Sequence, residues 1–232
     1  MKLEKNEKWL ILSCGMLADE LQEACRICNC DIPIIWMKRA LHNRPQYLKD
    51  GIQKVIDEHQ EYDQILLTYG LCGNGILGIK SEHTGLVIPK FHDCIHQLLQ
   101  NVDKGTGNGN ELWKNNSSTG HIYLTRSWTL DEESIYHQSQ RILKQYGREQ
   151  GNEILKQIYG SYTDIDIIDT DCYDVNPILE YAQKAASLNQ MKVNTVDGST
   201  VILQRLLKGE WDENFIVLEP GEVLKRSHFF ES

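Results

Sequence analysis

The feature that most constrains this chain is a strand-then-helix alternation that recurs along its length. Trp9-Leu10-Ile11-Leu12 is a short, continuous apolar run, the pattern of a parallel strand buried on both faces. It leads through Ser13-Cys14-Gly15 into a helical stretch, Leu17–Arg26. Ile32–Trp36 predicts a second strand, and Tyr47–Gln60 a helix with Leu48, Ile52, Val55 and Ile56 on one face. Ile65–Tyr69 and Leu86–Ile88 predict the third and fourth strands, with a helix over Ile95–Gln100 after the latter. His121–Thr125, Ile165–Asp169, Met191–Val196 and Phe215–Leu218 predict four more strands. Helical patterns fall between them at Leu130–Tyr146, Asn152–Tyr159, Asn176–Leu188 and Thr200–Lys208, with a break near Gly147. Such alternation dictates right-handed βαβ units. The expected fold is therefore α/β: a mainly parallel open sheet of about six to eight strands with helices on both faces, in a single domain over 1–232. Residues 103–120, rich in Gly, Asn, Ser and Lys, read as a surface loop.

Charge and length narrow the class of function. Asp and Glu number 33 against 24 Lys and Arg, a formal charge of −9, which disfavours a nucleic-acid-binding surface. The longest uncharged stretch, Ile65–Ile79, holds four Gly, an Asn and a Thr and falls short of the ~18 apolar residues of a membrane span. The N-terminal run before Cys14 is too short and too acidic, with Glu4 and Glu7, for a lipoprotein leader. The expectation is a cytoplasmic protein with no membrane partner. In that reducing compartment its seven cysteines are not a disulfide framework.

Four of those cysteines share one structural position. Cys14, Cys72, Cys94 and Cys172 each follow the C-terminal end of a predicted strand, where open α/β sheets build ligand sites. Cys14-Gly15 and Cys72-Gly73-Asn74-Gly75 pair the thiol with glycine, which permits unusual turns and close backbone approach. Three thiolates converging from three loops can hold a catalytic zinc with an open coordination position. They equally suit a [4Fe–4S] cluster with one iron free for substrate. The competing reading is that these are buried cysteines at strand ends, since their intervals match no compact metal motif. Cys25, Cys28 and Cys30 are louder in sequence, but no second ligand pair follows them at zinc-finger spacing.

Other polar groups join the candidate set. His92 and Asp93 flank Cys94 and can complete a metal shell or orient it, His92 as ligand and Asp93 as a catalytic carboxylate. His42 lies in a loop between predicted elements, where functional groups concentrate. Tyr69 and Arg126 sit at strand ends, placed to contact an anionic or thiol substrate. Gly15 and Gly73 are candidates for backbone contact with a bound group. The glycines at 70, 73 and 75 fit neither the dinucleotide fingerprint nor the Walker loop.

Several motifs occur in a fixed order: Ser13-Cys14-Gly15, Leu41-His42-x-x-Pro45, Tyr69-Gly70-x-Cys72-Gly73-x-Gly75, Ile88-Pro89-x-x-x-Asp93-Cys94, Tyr123-Leu124-Thr125 with Trp128, and Pro220-Gly221. In these the chain resembles the family catalogued as domain of unknown function 1638, from about residue 9 to 221. The resemblance implies that Cys14, Cys72 and Cys94 act together. It also implies a setting in anaerobic one-carbon metabolism, beside corrinoid-dependent methyltransferases. The functions this suggests are a zinc site activating a thiol or water, a [4Fe–4S] enzyme of dehydration or sulfur transfer, or a non-enzymatic accessory protein. Expected partners are a small thiol or one-carbon substrate and a corrinoid protein or methyltransferase.

Overall fold

A computed structural model describes residues 7–39, 41–100 and 120–230. The loop expected at 103–120 lies outside the described residues except for Gly120. The strands are β1 (Trp9–Cys14), β2 (Ile34–Met37), β3 (Gln64–Leu67), β4 (Gly85–Pro89), β5 (His121–Leu124), β6 (Asp164–Asp169), β7 (Lys192–Asp197) and β8 (Phe215–Leu218). The helices are α1 (Ala18–Cys28), α2 (Pro45–Glu58), α3 (Cys94–Leu98), α4 (Arg126–Thr129), α5 (Ile135–Tyr159), α6 (Asn176–Asn189) and α7 (Val201–Leu207). The α/β class and the mainly parallel pairing are as the periodicity predicts. The described strands are nonetheless divided between two sheets, in the orders β2-β1-β3-β4-β8 and β5-β6-β7. Periodicity reports how deeply a strand is buried, not which strand lies beside it, so it left this division open.

The chain separates into two compact units, Met1–Leu98 with Thr200–Ser232, and Leu99–Ser199. In the first, β1 to β4 are parallel and β8 runs antiparallel to β4, with Leu86 opposite Leu218. All six residues of β1 are buried, as a central strand covered on both faces requires. Its core joins Trp9, Ile11, Leu66 and Val87 of the strands to Leu21 and Ala24 of α1 and to Leu203 and Leu206 of α7. Helix α7 packs against α1, so the C-terminal segment completes a core begun at the other end of the chain.

In the second unit, three parallel strands carry α6, whose Ala182, Ala185 and Ala186 are buried with Ile165 and Ile167 of β6. Small side chains let that helix approach the sheet closely. Helix α5 is interrupted at Gly147, which adopts φ 75° and ψ 177°, outside helical space. Within this sheet Asp166, 1% exposed, accepts hydrogen bonds from His121 Nδ1 at 2.6 Å and Asn194 Nδ2 at 2.8 Å. Asp166→Ala removes the partner of His121 Nδ1, while Asn194 keeps its bond to Asp164 Oδ1 at 3.1 Å, and a loss of about 1–3 kcal/mol in unfolding free energy is expected in urea titration. A loss under about 0.5 kcal/mol would mean that His121 finds water instead.

Candidate functional site: three thiols at the strand ends of the first unit

In the order β2-β1-β3-β4, the sheet grows from β1 first to one side and then to the other. The crevice beyond the C-terminal ends of β1 and β3 is therefore a topological switch point, where open α/β sheets bind ligands. Cys14 ends β1, Cys72 follows β3, and Cys94 follows β4 and opens α3.

Backbone and hydroxyl contacts stitch these three loops together. Ser13 and Thr68 share a buried hydroxyl hydrogen bond of 2.8 Å, and Thr68 N–H donates to the Leu12 carbonyl. Beyond the end of β3, Leu71 N–H donates to the Phe91 carbonyl and Cys72 N–H to the His92 carbonyl, both at 2.8 Å. These bonds carry a ladder-like pairing past the formal ends of β3 and β4. Gly70 is the point of closest approach: a Cβ there would lie 2.6 Å from the Phe91 carbonyl oxygen and 2.9 Å from the Asp93 nitrogen. The chain then turns through three consecutive left-handed residues, Cys72 (φ 47°), Gly73 (φ 65°) and Asn74 (φ 69°). Cys72 bears the side chain that this conformation disfavours, so the surrounding contacts hold it there at a cost of about 1–2 kcal/mol. The hydroxyl pair at the β1–β3 end gives a sharp test. Ser13→Ala alone should cost about 1–3 kcal/mol, because it leaves Thr68 Oγ1 buried without its partner. Ser13→Ala with Thr68→Val should cost less than the sum of the single changes in a double-mutant unfolding cycle.

The thiols occupy a graded position. Cys14 is buried, while Cys72 and Cys94 are partly exposed. Burial pushes the Cys72 thiol up, and nearby Asp93 and Cys14 push it further. Backbone N–H groups of Gly70 and Cys94 donate to its sulfur and oppose that rise. Burial likewise pushes Cys94 far up, with Cys72, Asp93, Cys14 and Glu20 adding to the effect. The three thiols are thus within electrostatic reach of one another, and the Asp93 and Glu20 carboxylates help to keep them protonated. Tyr69, 3% exposed, stands among them. Its buried hydroxyl meets no partner by strict hydrogen-bond geometry; burial, then the nearby Cys14 and Cys72 thiols and an interaction with the Cys14 side chain, raise its pKa well above the ordinary phenol value. Tyr69 is therefore a neutral donor aimed into the thiol cluster. Among the described residues, no three His, Cys, Asp or Glu side chains already stand in a coordinating arrangement.

The other candidates separate by role. Asp93 is the N-cap of α3: its Oδ1 accepts the His96 N–H at 2.8 Å. It contributes charge to the site while fixing the helix that presents Cys94. Burial lowers the pKa of His92, against the pull of Asp93, and its ring lies 5.4 Å from His96 and 5.0 Å from Phe230. His92 is thus a neutral imidazole beside the thiols in sequence. Gly15 is pressed against β2, where an added Cβ would meet the Met37 carbonyl and the Arg39 side chain at 3.2 Å. Gly73 has open space around it and is needed for its φ. His42 lies in the short 3-10 turn Leu41–Asn43 ahead of α2. Arg126 begins α4 in the other unit and is exposed there, and Trp128 packs against that unit's core. Cys172 also belongs to that unit, its thiol donating to the Thr170 carbonyl at 3.3 Å.

Two groups near this chemistry escape a sequence reading. Glu20 is fully buried on α1 and acts on Cys94, although its place in an acidic first turn reads as solvated surface. Gln97, one helical turn beyond Cys94, is fully buried with neither side-chain polar atom hydrogen-bonded. No pattern in the sequence marks either one, because nothing local distinguishes a buried polar side chain from a solvated one.

The fold and these loops define an α/β protein with a strand-end thiol cluster. The chain belongs to the family described as protein of unknown function (DUF1638), whose match spans residues 36–207. That match includes Cys72 and Cys94, while Cys14 lies before it. No curated protein and no solved structure matches the chain.

Proposed function

We propose that Cys14, Cys72 and Cys94 hold a zinc ion and leave a position open for a small thiol or water, in one-carbon metabolism linked to corrinoid methyl transfer. The observation that carries this reading is the gathering of Cys14, Cys72 and Cys94 on three loops at the C-terminal strand ends of one sheet, with Asp93 and Glu20 near them. Each of these groups disfavours a bare thiolate on its neighbour, so a cation is the ligand that would let the thiols ionise together. The donor chemistry fits zinc, which takes three protein ligands and one exchangeable group at catalytic sites. The reading requires the thiols to reorient on binding, since they do not stand ready-made around one point. When bound, zinc lowers the pKa of a coordinated thiol or water and so supplies a nucleophile at neutral pH.

The protein's own groups have definable parts around that centre. Tyr69, kept protonated, can donate a hydrogen bond to an anion formed among the thiols. His92, kept neutral, can accept the proton that an entering thiol loses. Asp93 orients Cys94 by capping α3. The test is the metal and acid-labile sulfide content of protein purified without oxygen. About one zinc per chain and no sulfide is the expected result. Iron with matching sulfide would replace zinc by a [4Fe–4S] cluster on the same cysteines, and protein with neither would overturn the reading. Turnover of a methylated corrinoid with a small thiol by the zinc-loaded chain would separate an enzyme from an accessory protein that docks on a methyltransferase.

A further inference from the structure

The remaining three cysteines of the first unit gather at the other end of α1. The helix closes with Asn29 in the left-handed conformation (φ 49°, ψ 49°). Cys30 N–H then returns to the Cys25 carbonyl at 2.9 Å, and Asn29 N–H donates to the Arg26 carbonyl at 3.3 Å. This is a Schellman cap, in which the residue two beyond the C-cap position packs its side chain against one in the last helical turn. Here those two residues are both cysteine. Cys25 and Cys30 are held face to face by backbone hydrogen bonds, with Cys28 beside them, and all three pack against the edge of the core.

Access differs between the partners. A surface groove of about 440 Å³ is lined by Cys28 and Cys30, together with Trp9, Asn29, Ile32 and Lys208, but not by Cys25. The Cys28 thiol is engaged by the Gln204 carbonyl of α7 at 3.7 Å. A small molecule entering the groove therefore meets Cys30 with its resolving thiol directly behind it.

We propose that Cys25 and Cys30 are a reversible dithiol–disulfide pair that reacts with low-molecular-weight disulfides, Cys30 as the entry thiol and Cys25 as the resolving one. The Cys30 thiolate attacks one sulfur of the small disulfide, forming a mixed disulfide and releasing one thiolate. Cys25 loses its proton to solvent and attacks the Cys30 sulfur, closing the Cys25–Cys30 bond and releasing the second thiolate. Two protein thiols are oxidised and one small disulfide is reduced to two thiols. The electrostatics agree with these roles. Contact with Cys25, together with the Ile32 N–H, pulls Cys30 below the usual thiol range, while contact with Cys30 and burial push Cys25 above it. Burial also raises Cys28, against the pull of Lys208. Asp31 and Glu210 are the acidic neighbours, acting on Cys30 and Cys28 respectively.

The whole protein treated with oxidised glutathione, then mapped by tandem mass spectrometry, tests this. The unaltered chain should acquire a Cys25–Cys30 disulfide, carry no retained glutathione at Cys28 or Cys30, and recover its thiols in dithiothreitol. Cys25→Ser should trap glutathione on Cys30, and Cys28→Ser should leave the cross-link intact. A cross-link that includes Cys28, glutathione retained on the unaltered chain at either position, or no reaction at Cys30 would each overturn the proposal. The key result comes from the unaltered chain, so poor folding of a variant does not remove the test.

Discussion

Cys94→Ala is expected to empty the strand-end site. The variant, purified without oxygen, should retain less than about a tenth of the zinc of the unaltered chain, with affinity falling by at least about 100-fold. Cys94 opens α3, capped by Asp93, and its own N–H donates to the Cys72 sulfur, so its side chain is central to the cluster. Cys72→Ala should behave alike, whereas Cys28→Ala, at the opposite end of α1, should bind metal as the unaltered chain does. Metal occupied a thousandfold above its dissociation constant adds about 4 kcal/mol to stability, which moves the melting temperature by on the order of 10 °C. Equal zinc content in the unaltered and Cys94→Ala chains would remove these cysteines from consideration as ligands.

The same thiols set a pH dependence with a definite sign. Their pKa values lie above the ordinary 9.0 in the folded chain, so the folded metal-free protein holds protons that the unfolded chain releases. That contribution to stability is complete below about pH 9 and is lost as pH rises toward the folded values. Metal reverses the trend, because binding requires deprotonated sulfur and so strengthens as pH rises. Denaturant unfolding above pH 9, with and without zinc, should diverge accordingly.

Gly70→Ala is the second large effect, and it acts through backbone rather than chemistry. Its Cβ would lie 2.6 Å from the Phe91 carbonyl oxygen, 2.9 Å from the Asp93 nitrogen and 3.0 Å from the Asp93 Cα. None of these is the movable end of a side chain, so the loops after β3 and β4 must separate. Separation strains the 2.8 Å bonds from Leu71 to Phe91 and from Cys72 to His92. Overpacking and the weakened bonds together predict a loss of about 3 kcal/mol in stability, with metal binding lost alongside it. Gly73→Ala is the matched control. Space there is open and only its φ of 65° is unfavourable, so a loss of about 1 kcal/mol is expected. Equal unfolding midpoints for the two variants would mean that the loops are not held together at Gly70.

Much of this was legible without coordinates. The strand-like runs marked all eight described strands to within about two residues. β7 is largely exposed and is marked by its β-branched Val193, Thr195 and Val196, whereas β1, β3 and β4 stand out because burial on both faces leaves no polar alternation in them. Cys14, Cys72 and Cys94 were recognisable as strand-end residues for the same reason. What sequence could not supply was adjacency. It did not reveal that the strands part into two sheets, that β8 lies antiparallel on β4, or that Arg126 and Cys172 belong to a different unit from the thiol cluster. It also assigned Asp93 a chemical part, where the fold makes it a helix cap as well.

The three cysteines between 25 and 30 show the division most clearly. In sequence they lack the second ligand pair of a zinc finger and suggest little else. In the fold, one left-handed residue at Asn29 turns Cys30 back onto Cys25 and makes a facing pair of two neighbours on the chain. Local pattern thus determined the elements of this protein and the ends at which its cysteines fall. Only the three-dimensional structure decided which cysteines meet: strand order and the loop stitching at Gly70 are set by packing between segments that carry no mark of one another, and the Cys25–Cys30 pair by a left-handed turn at Asn29 that no residue pattern announces.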